Sequence, residues 1–379
     1  MIKLGLENLL ENELGSLSGK KVGLITSPTG VNSQLRANID LFLEAGIKLT
    51  ALFGPEHGVR GDAQAGEYVS STTDKKTNLP IYSLYGPNKK PTKKSLKDVD
   101  VLIFDLQDVG CRYYTFLYTM AYAQEAAGEF DKEFVILDRP NPLGGLTIEG
   151  NLIKSGFTSF VGGYSIPIRY GLTLGEFGLY LSKYHGVGKE PKVIKLSLWQ
   201  RSMYYTDTGL VWVLPSPNIP TIDSAIVYPG TCLFEGTNLS EGRGTTKPFE
   251  TIGAPWLDSF ELTEKLSSLG LPGVLFRPTF FTPSFSKHKG VTCHGLQIHV
   301  TDHKVFSPVK TALYLLVEVF KYPETEFLEN NNGHFFDLLS GDPTVREKIK
   351  KGVPADEIWA EMESENQAFV KQAKSILLY

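Results

Sequence analysis

The stretch Lys48-Leu49-Thr50-Ala51-Leu52-Phe53-Gly54-Pro55-Glu56-His57-Gly58 decides the fold. Its first six residues read as a largely apolar strand that runs straight into a loop stiffened by Pro55 between two glycines. Upstream, residues 21–25 form a second β-rich run that ends in Thr26-Ser27-Pro28-Thr29-Gly30. Between the two strands Asn32 can cap a helix, Leu35, Ile39, Phe42 and Leu43 recur at helical spacing, and Gly46 stops it. Downstream, residues 81–84, 99–106 and 134–137 read as further strands. Residues 99–106 are nearly all apolar, as a strand covered on both faces should be. A helix over 118–127 closed by Gly128 separates the last two, and Thr173 with Glu176 has the spacing of a capping box that opens another. This alternation predicts an α/β chain with a Rossmann-like, doubly wound parallel sheet.

From about residue 212 the pattern changes. Residues 212–253 are rich in Pro, Gly, Thr and Asn with little periodicity. A strand over 295–300, a helix from Ser307-Pro308 and a helical stripe over 354–378 follow. The expected division is a Rossmann-like domain over 1–226 and a smaller α+β domain over 227–379, and 379 residues suit two domains.

Composition narrows the function. The net charge of −4, from 38 basic and 42 acidic side chains with no basic stripe, argues against nucleic acid as a partner. No apolar run nears the roughly 18 residues of a membrane span. Cys111, Cys232 and Cys293 are too few for a disulfide framework and show no zinc spacing. The N-terminus lacks the apolar core of a signal peptide.

In open α/β sheets ligands bind beyond the carboxyl ends of the strands. The residues following the first, second, fourth and fifth strands in chain order are Ser27; Glu56 and His57; Gln107, Asp108 and Arg112; and Arg139 and Asn141. No dinucleotide, P-loop or nucleophile-elbow motif accompanies them. His57, Asp105, Asp108 and His294 are of metal-ligating type but lack clustered spacing, so neither a metal nor a cofactor is expected. Glu56, fixed between Pro55 and His57, suits the carboxylic acid that glycoside hydrolysis needs to protonate a leaving oxygen. The second concentration of polar residues, 234–250, is a long Gly-rich run carrying Glu235, Asn238, Glu241, Arg243 and Thr245. Arg243 there can hold a carboxylate in a two-pronged contact. Tyr113, Tyr114, Phe116 and Tyr164 are aromatic candidates for a sugar face or for the core.

Gly54-Pro55-Glu56-His57-Gly58, Asp138-Arg139-Pro140-Asn141-Pro142 and the 235–246 run together resemble the signature of the exo-β-N-acetylmuramidase (NamZ-like) family. The resemblance extends over nearly the whole chain, from about Lys20 to Tyr379. It implies release of N-acetylmuramic acid from the non-reducing end of peptidoglycan fragments, with muramyl saccharides as the partners. It implies Glu56 as a catalytic residue and leaves Glu149, Glu235 and Glu241 as candidates for a second catalytic group. It also implies export to the periplasm or medium, which the N-terminal sequence does not support, so a cytoplasmic location stays open. Two other readings remain: a peptidoglycan-fragment binding protein without catalysis, and a metal-dependent esterase or amidase acting on a muramyl substrate.

Overall fold

The computed structural model describes residues 2–61, 72–330 and 333–379. A seven-stranded sheet is built from β1 (Lys21–Thr26), β2 (Lys48–Gly54), β3 (Thr72–Thr73), β4 (Pro80–Ser83), β5 (Val101–Asp105), β6 (Glu133–Leu137) and β7 (Lys192–Ile194), in the order β3-β4-β2-β1-β5-β6-β7. All pairings are parallel except the β3–β4 edge.

The alternation of side chains explains why these strands read as unbroken apolar runs. Ile25, Phe53, Leu102, Phe104 and Ile136 point to one face, and Leu24, Leu52, Val101, Ile103 and Leu137 to the other. The second face is covered by the N-terminal segment (Ile2, Leu6, Leu9) and by Ile39 and Phe42 of helix Asn38–Glu44. The first face is covered by helices Phe116–Glu129 and Leu174–His185, and its core continues into the C-terminal half through Tyr228, Leu233, Leu296 and Leu313.

Local signals held where they were specific. Thr173 accepts from the Glu176 amide at 3.2 Å and Glu176 accepts from the Thr173 amide at 3.0 Å, which closes the capping box. The expected helix after Asn32 starts only at Asn38, because the Asn32 side chain accepts from the Gln34 and Arg36 amides and folds 32–36 into a turn. Leu35 sits there at φ 61°, half exposed. The 212–253 run contains helix Ile222–Thr231, whose interior Pro229 had masked it. Beyond it β8 (Thr251–Ala254), β9 (Val274–Phe281) and β10 (Cys293–Val300) form an antiparallel sheet of order β8-β10-β9, with helix Pro308–Val319 following. Residues 354–378 form two helices, Ala355–Glu365 and Gln367–Ala373. No helix among the described residues is long and apolar enough to cross a membrane.

Candidate active site

The switch in strand order lies between β1 and β5, where a doubly wound sheet usually opens a crevice. Here that crevice is plugged. Asp105 at the end of β5 accepts from Asn38 at 2.8 Å and pairs with Arg139 at 2.6 Å, and Arg139 also donates to the Val31 carbonyl at 2.9 Å. Ser27 and Thr29 hydroxyls lie 2.9 Å apart, and Thr29 accepts from the Gln107 amide at 3.0 Å. Among the described residues, the space a water could enter beside Gln107 and Arg139 is about 10 Å³.

The accessible chemistry is one strand over, beyond β2. A turn closed by the Gly58 amide on the Pro55 carbonyl (2.9 Å) carries Glu56 and sets buried His57 at φ 72°. Glu56 is partly exposed, and Thr115, at the start of helix Phe116–Glu129, donates its hydroxyl to Glu56 Oε2 at 2.7 Å. Tyr85, just past β4, bonds to the same carboxyl. Burial, then the Glu56 charge and that bond, push its phenol up to about 12.

Tyr114 joins this corner to the second polar run. Burial raises its phenol far above the ordinary range, and the charges of Glu56 and Asp108 add to that while Arg243 opposes it. Its hydroxyl is buried and has no hydrogen-bond partner among the described residues. Tyr114 packs edge-on against Tyr228 (6.3 Å between ring centroids), Tyr228 against Phe249 (4.7 Å), and the Arg243 guanidinium lies 5.1 Å over Phe249. Arg243 pairs with Glu235 at 2.8 Å and Glu241 at 3.3 Å. Burial opposes its charge, but the two carboxylates more than offset that and hold it firmly protonated.

Asp108 borders the same region as a buried carboxyl. Its Oδ2 accepts from the Gly110 amide at 2.8 Å and from the Tyr170 hydroxyl, while Oδ1 has no hydrogen-bond partner among the described residues. Burial pushes it up to about 6.

Other nominated residues are held in framework bonds. Arg112 is fully buried and spends its guanidinium on the carbonyls of Asn151, Ile166, Leu339 and Ser340 at 2.6–2.9 Å. Asn141 bridges the Leu172 carbonyl and the Leu143 amide, Asn238 the Glu324 carbonyl and the Glu326 amide, and Thr245 caps its own turn on Gly242. Gln107 donates to the Asp108 and Pro140 carbonyls. Glu149, 2% exposed, pairs with Arg169 at 2.7 Å and takes Ser307 at 2.7 Å and the Val309 amide at 3.3 Å. It therefore ties the first half of the chain to the start of helix Pro308–Val319. Tyr113 and Phe116 belong to the core, and Tyr164 is half-buried, stacked on Tyr118. Asp105 is taken up by Arg139 and Asn38, and His294 stands on β10 against Phe280; among the described residues no three metal-ligating side chains gather. Tyr85 and Thr115 are not among the residues the sequence nominates, although Tyr85 follows a strand, β4, and Thr115 stands just before an apolar helical run.

Sequence models of the exo-β-N-acetylmuramidase NamZ N-terminal and C-terminal regions match residues 22–223 and 226–379. The chain belongs to the exo-β-N-acetylmuramidase NamZ family. The chain is 51% identical to the peptidoglycan β-N-acetylmuramidase NamZ of Bacillus subtilis (strain 168), over 100% of its own length and 91% of that protein. Two crystal structures of DUF1343 family proteins from Bacteroides fragilis superpose over 100% of the chain and 99% of theirs. Their TM-scores are 0.92 and 0.80, at 41% and 30% identity. The Glu56 turn lies within the first of these matches and the 235–246 run within the second.

Proposed function

We propose that this chain is an exo-acting glycoside hydrolase that removes β-linked N-acetylmuramic acid from the non-reducing end of peptidoglycan fragments, with Glu56 as the general acid. The observation that carries the reading is that Glu56 and Arg243 stand at the two ends of one chain of contacts, which runs from Thr115 beside Tyr114 through Tyr228 to Phe249. One supplies a carboxyl able to protonate a glycosidic oxygen, and the other a cation suited to the lactyl carboxylate that distinguishes muramic acid from other amino sugars. Thr115 and Tyr85 hold the acid in place. Glu149, Glu235 and Glu241 are each committed to a cation. The 2-acetamido group of the sugar then serves as the internal nucleophile, an exception to the two-carboxylate scheme.

We read 1–226 as the catalytic domain and 227–379 as the part that completes the site with Arg243, and we place the reaction outside the cytoplasm, where peptidoglycan fragments arise. The test is incubation with the disaccharide N-acetylmuramoyl-β-1,4-N-acetylglucosamine. Equimolar release of both sugars is expected. Binding without release would instead make the chain a fragment receptor, and release of acetate or lactate would make it an esterase or amidase.

A further inference from the structure

The hairpin between β9 and β10 carries a lysine whose surroundings are unusual for that side chain. Lys287 Nζ donates to the carbonyls of Phe234 (2.7 Å), Thr237 (2.8 Å) and Leu239 (2.7 Å), and lies 2.8 Å from Glu241 Oε2. Its neighbours Ser286 and His288 both stand at positive φ, 68° and 56°, a conformation costly for residues other than glycine unless the surroundings enforce it. The enforcing contacts are on the same loop. Ser284 donates through its amide and its hydroxyl to the Gly244 carbonyl at 2.9 Å each, and His288 Nε2 lies 2.7 Å from the Asn238 carbonyl. The hairpin tip is therefore laced onto the segment that presents Arg243, with the ammonium at the centre of the lacing.

The charges around Arg243 give this a consequence. Glu235 and Glu241 both pair with Arg243, and Glu241, 2% exposed, also pairs with Lys287. With Lys287 the four groups sum to zero, and the Arg243 guanidinium can face an incoming anion. Without it the cluster carries one net negative charge and repels a carboxylate.

We propose that Lys287 is a positioning residue that makes this site selective for an acidic sugar, by neutralising Glu241 so that Arg243 is left to the substrate carboxylate. The inference rests on the reading of Arg243 as the carboxylate receptor. The test measures kcat and KM for two aryl β-glycosides, one of N-acetylmuramic acid and one of its lactyl methyl ester. The wild-type chain is expected to favour the acid. K287M should cut that preference roughly ten-fold, the scale of one charge in a partly exposed site, while the ester's constants stay within about two-fold. K287M/E241Q, neutral again, should restore the preference, and E241Q alone, one charge more positive, should increase it. E241Q also covers the case in which K287M does not fold. Equal losses on both substrates, an unrescued double variant, or an E241Q whose preference does not rise would overturn the role of Lys287. A wild-type chain indifferent to the methyl ester would sink the reading of Arg243 itself.

Discussion

Asp108→Asn separates framework from chemistry at the rim of the site. The carboxyl is buried, takes the Gly110 amide and the Tyr170 hydroxyl on one oxygen, and leaves the other without a hydrogen-bond partner among the described residues. Burial pushes it up to about 6, against about 4 for an aspartate in an unfolded chain. The folded state therefore holds its proton more tightly than the unfolded state. A group of this kind contributes stability that is complete below the unfolded value and is lost as pH rises through the folded one. Two decades of proton affinity correspond to about 3 kcal/mol, of which about 2 kcal/mol disappears between pH 4 and pH 7. Asparagine cannot ionise there, and its carbonyl can still accept from Gly110 and Tyr170. Urea midpoints measured from pH 4 to 7 should thus show the variant gaining on the wild type as pH rises, by about 2 kcal/mol over the range, whatever its absolute stability. Asp138, buried and also pushed up to about 6, keeps its own share of the slope in both proteins. If Asp108 is framework, kcat/KM of the folded variant stays within a few-fold. Parallel stability curves would refute the burial argument, and a loss of ~10²-fold in rate would place the carboxyl in the chemistry.

Glu56→Gln keeps the Thr115 bond and removes only the transferable proton; turnover of the disaccharide should fall by at least ~10²-fold, and that of an activated aryl glycoside by less, as measured by initial rates. Glu149→Gln leaves Arg169 buried with an uncompensated charge and should cost about 3–5 kcal/mol in thermal or urea unfolding. Replacing the substrate's acetamido group by trifluoroacetamido weakens its carbonyl as a nucleophile and should slow release roughly ten-fold or more if the sugar assists its own cleavage. An unchanged rate would require a protein nucleophile.

The sheet was legible because its strands are buried on both faces. Residues 99–106 could be read as a strand from apolar content alone, and the Thr173–Glu176 box from a pair of side chains that satisfy each other. Elements failed to show where a local cue pointed elsewhere. Asn32 has the chemistry of a helix cap, but its side chain found the Gln34 and Arg36 amides first. Pro229 disguised a helix that survives because its stability comes from packing of Tyr228 and its neighbours rather than from propensity. The edge strand β9 carries Pro278 and half-exposed residues, so it lacks the apolar run that marks a central strand.

The site was legible at Glu56 and much less so elsewhere, and the reason is electrostatic. A sequence displays carboxylates and guanidinium groups but not which of them are already paired. Arg112, Arg139 and Glu149 stand at promising positions, yet each is nearly or fully buried, and a buried charge persists only where it is satisfied. Arg112 found carbonyls contributed from 39 to 228 residues away, a relation no local pattern encodes. The same logic applies to Glu235 and Glu241. Two acidic side chains in one Gly-rich run invite the reading of a second catalytic carboxylate. In the folded chain they flank Arg243, and Glu241 is shared with Lys287 from a hairpin more than 40 residues on. Carboxylates so engaged are poor nucleophiles, since attack on a sugar would break the ion pairs that hold them. What they do well is set the charge around the guanidinium, so the second motif reads as the part that recognises the sugar, and Glu56 as the part that acts on it.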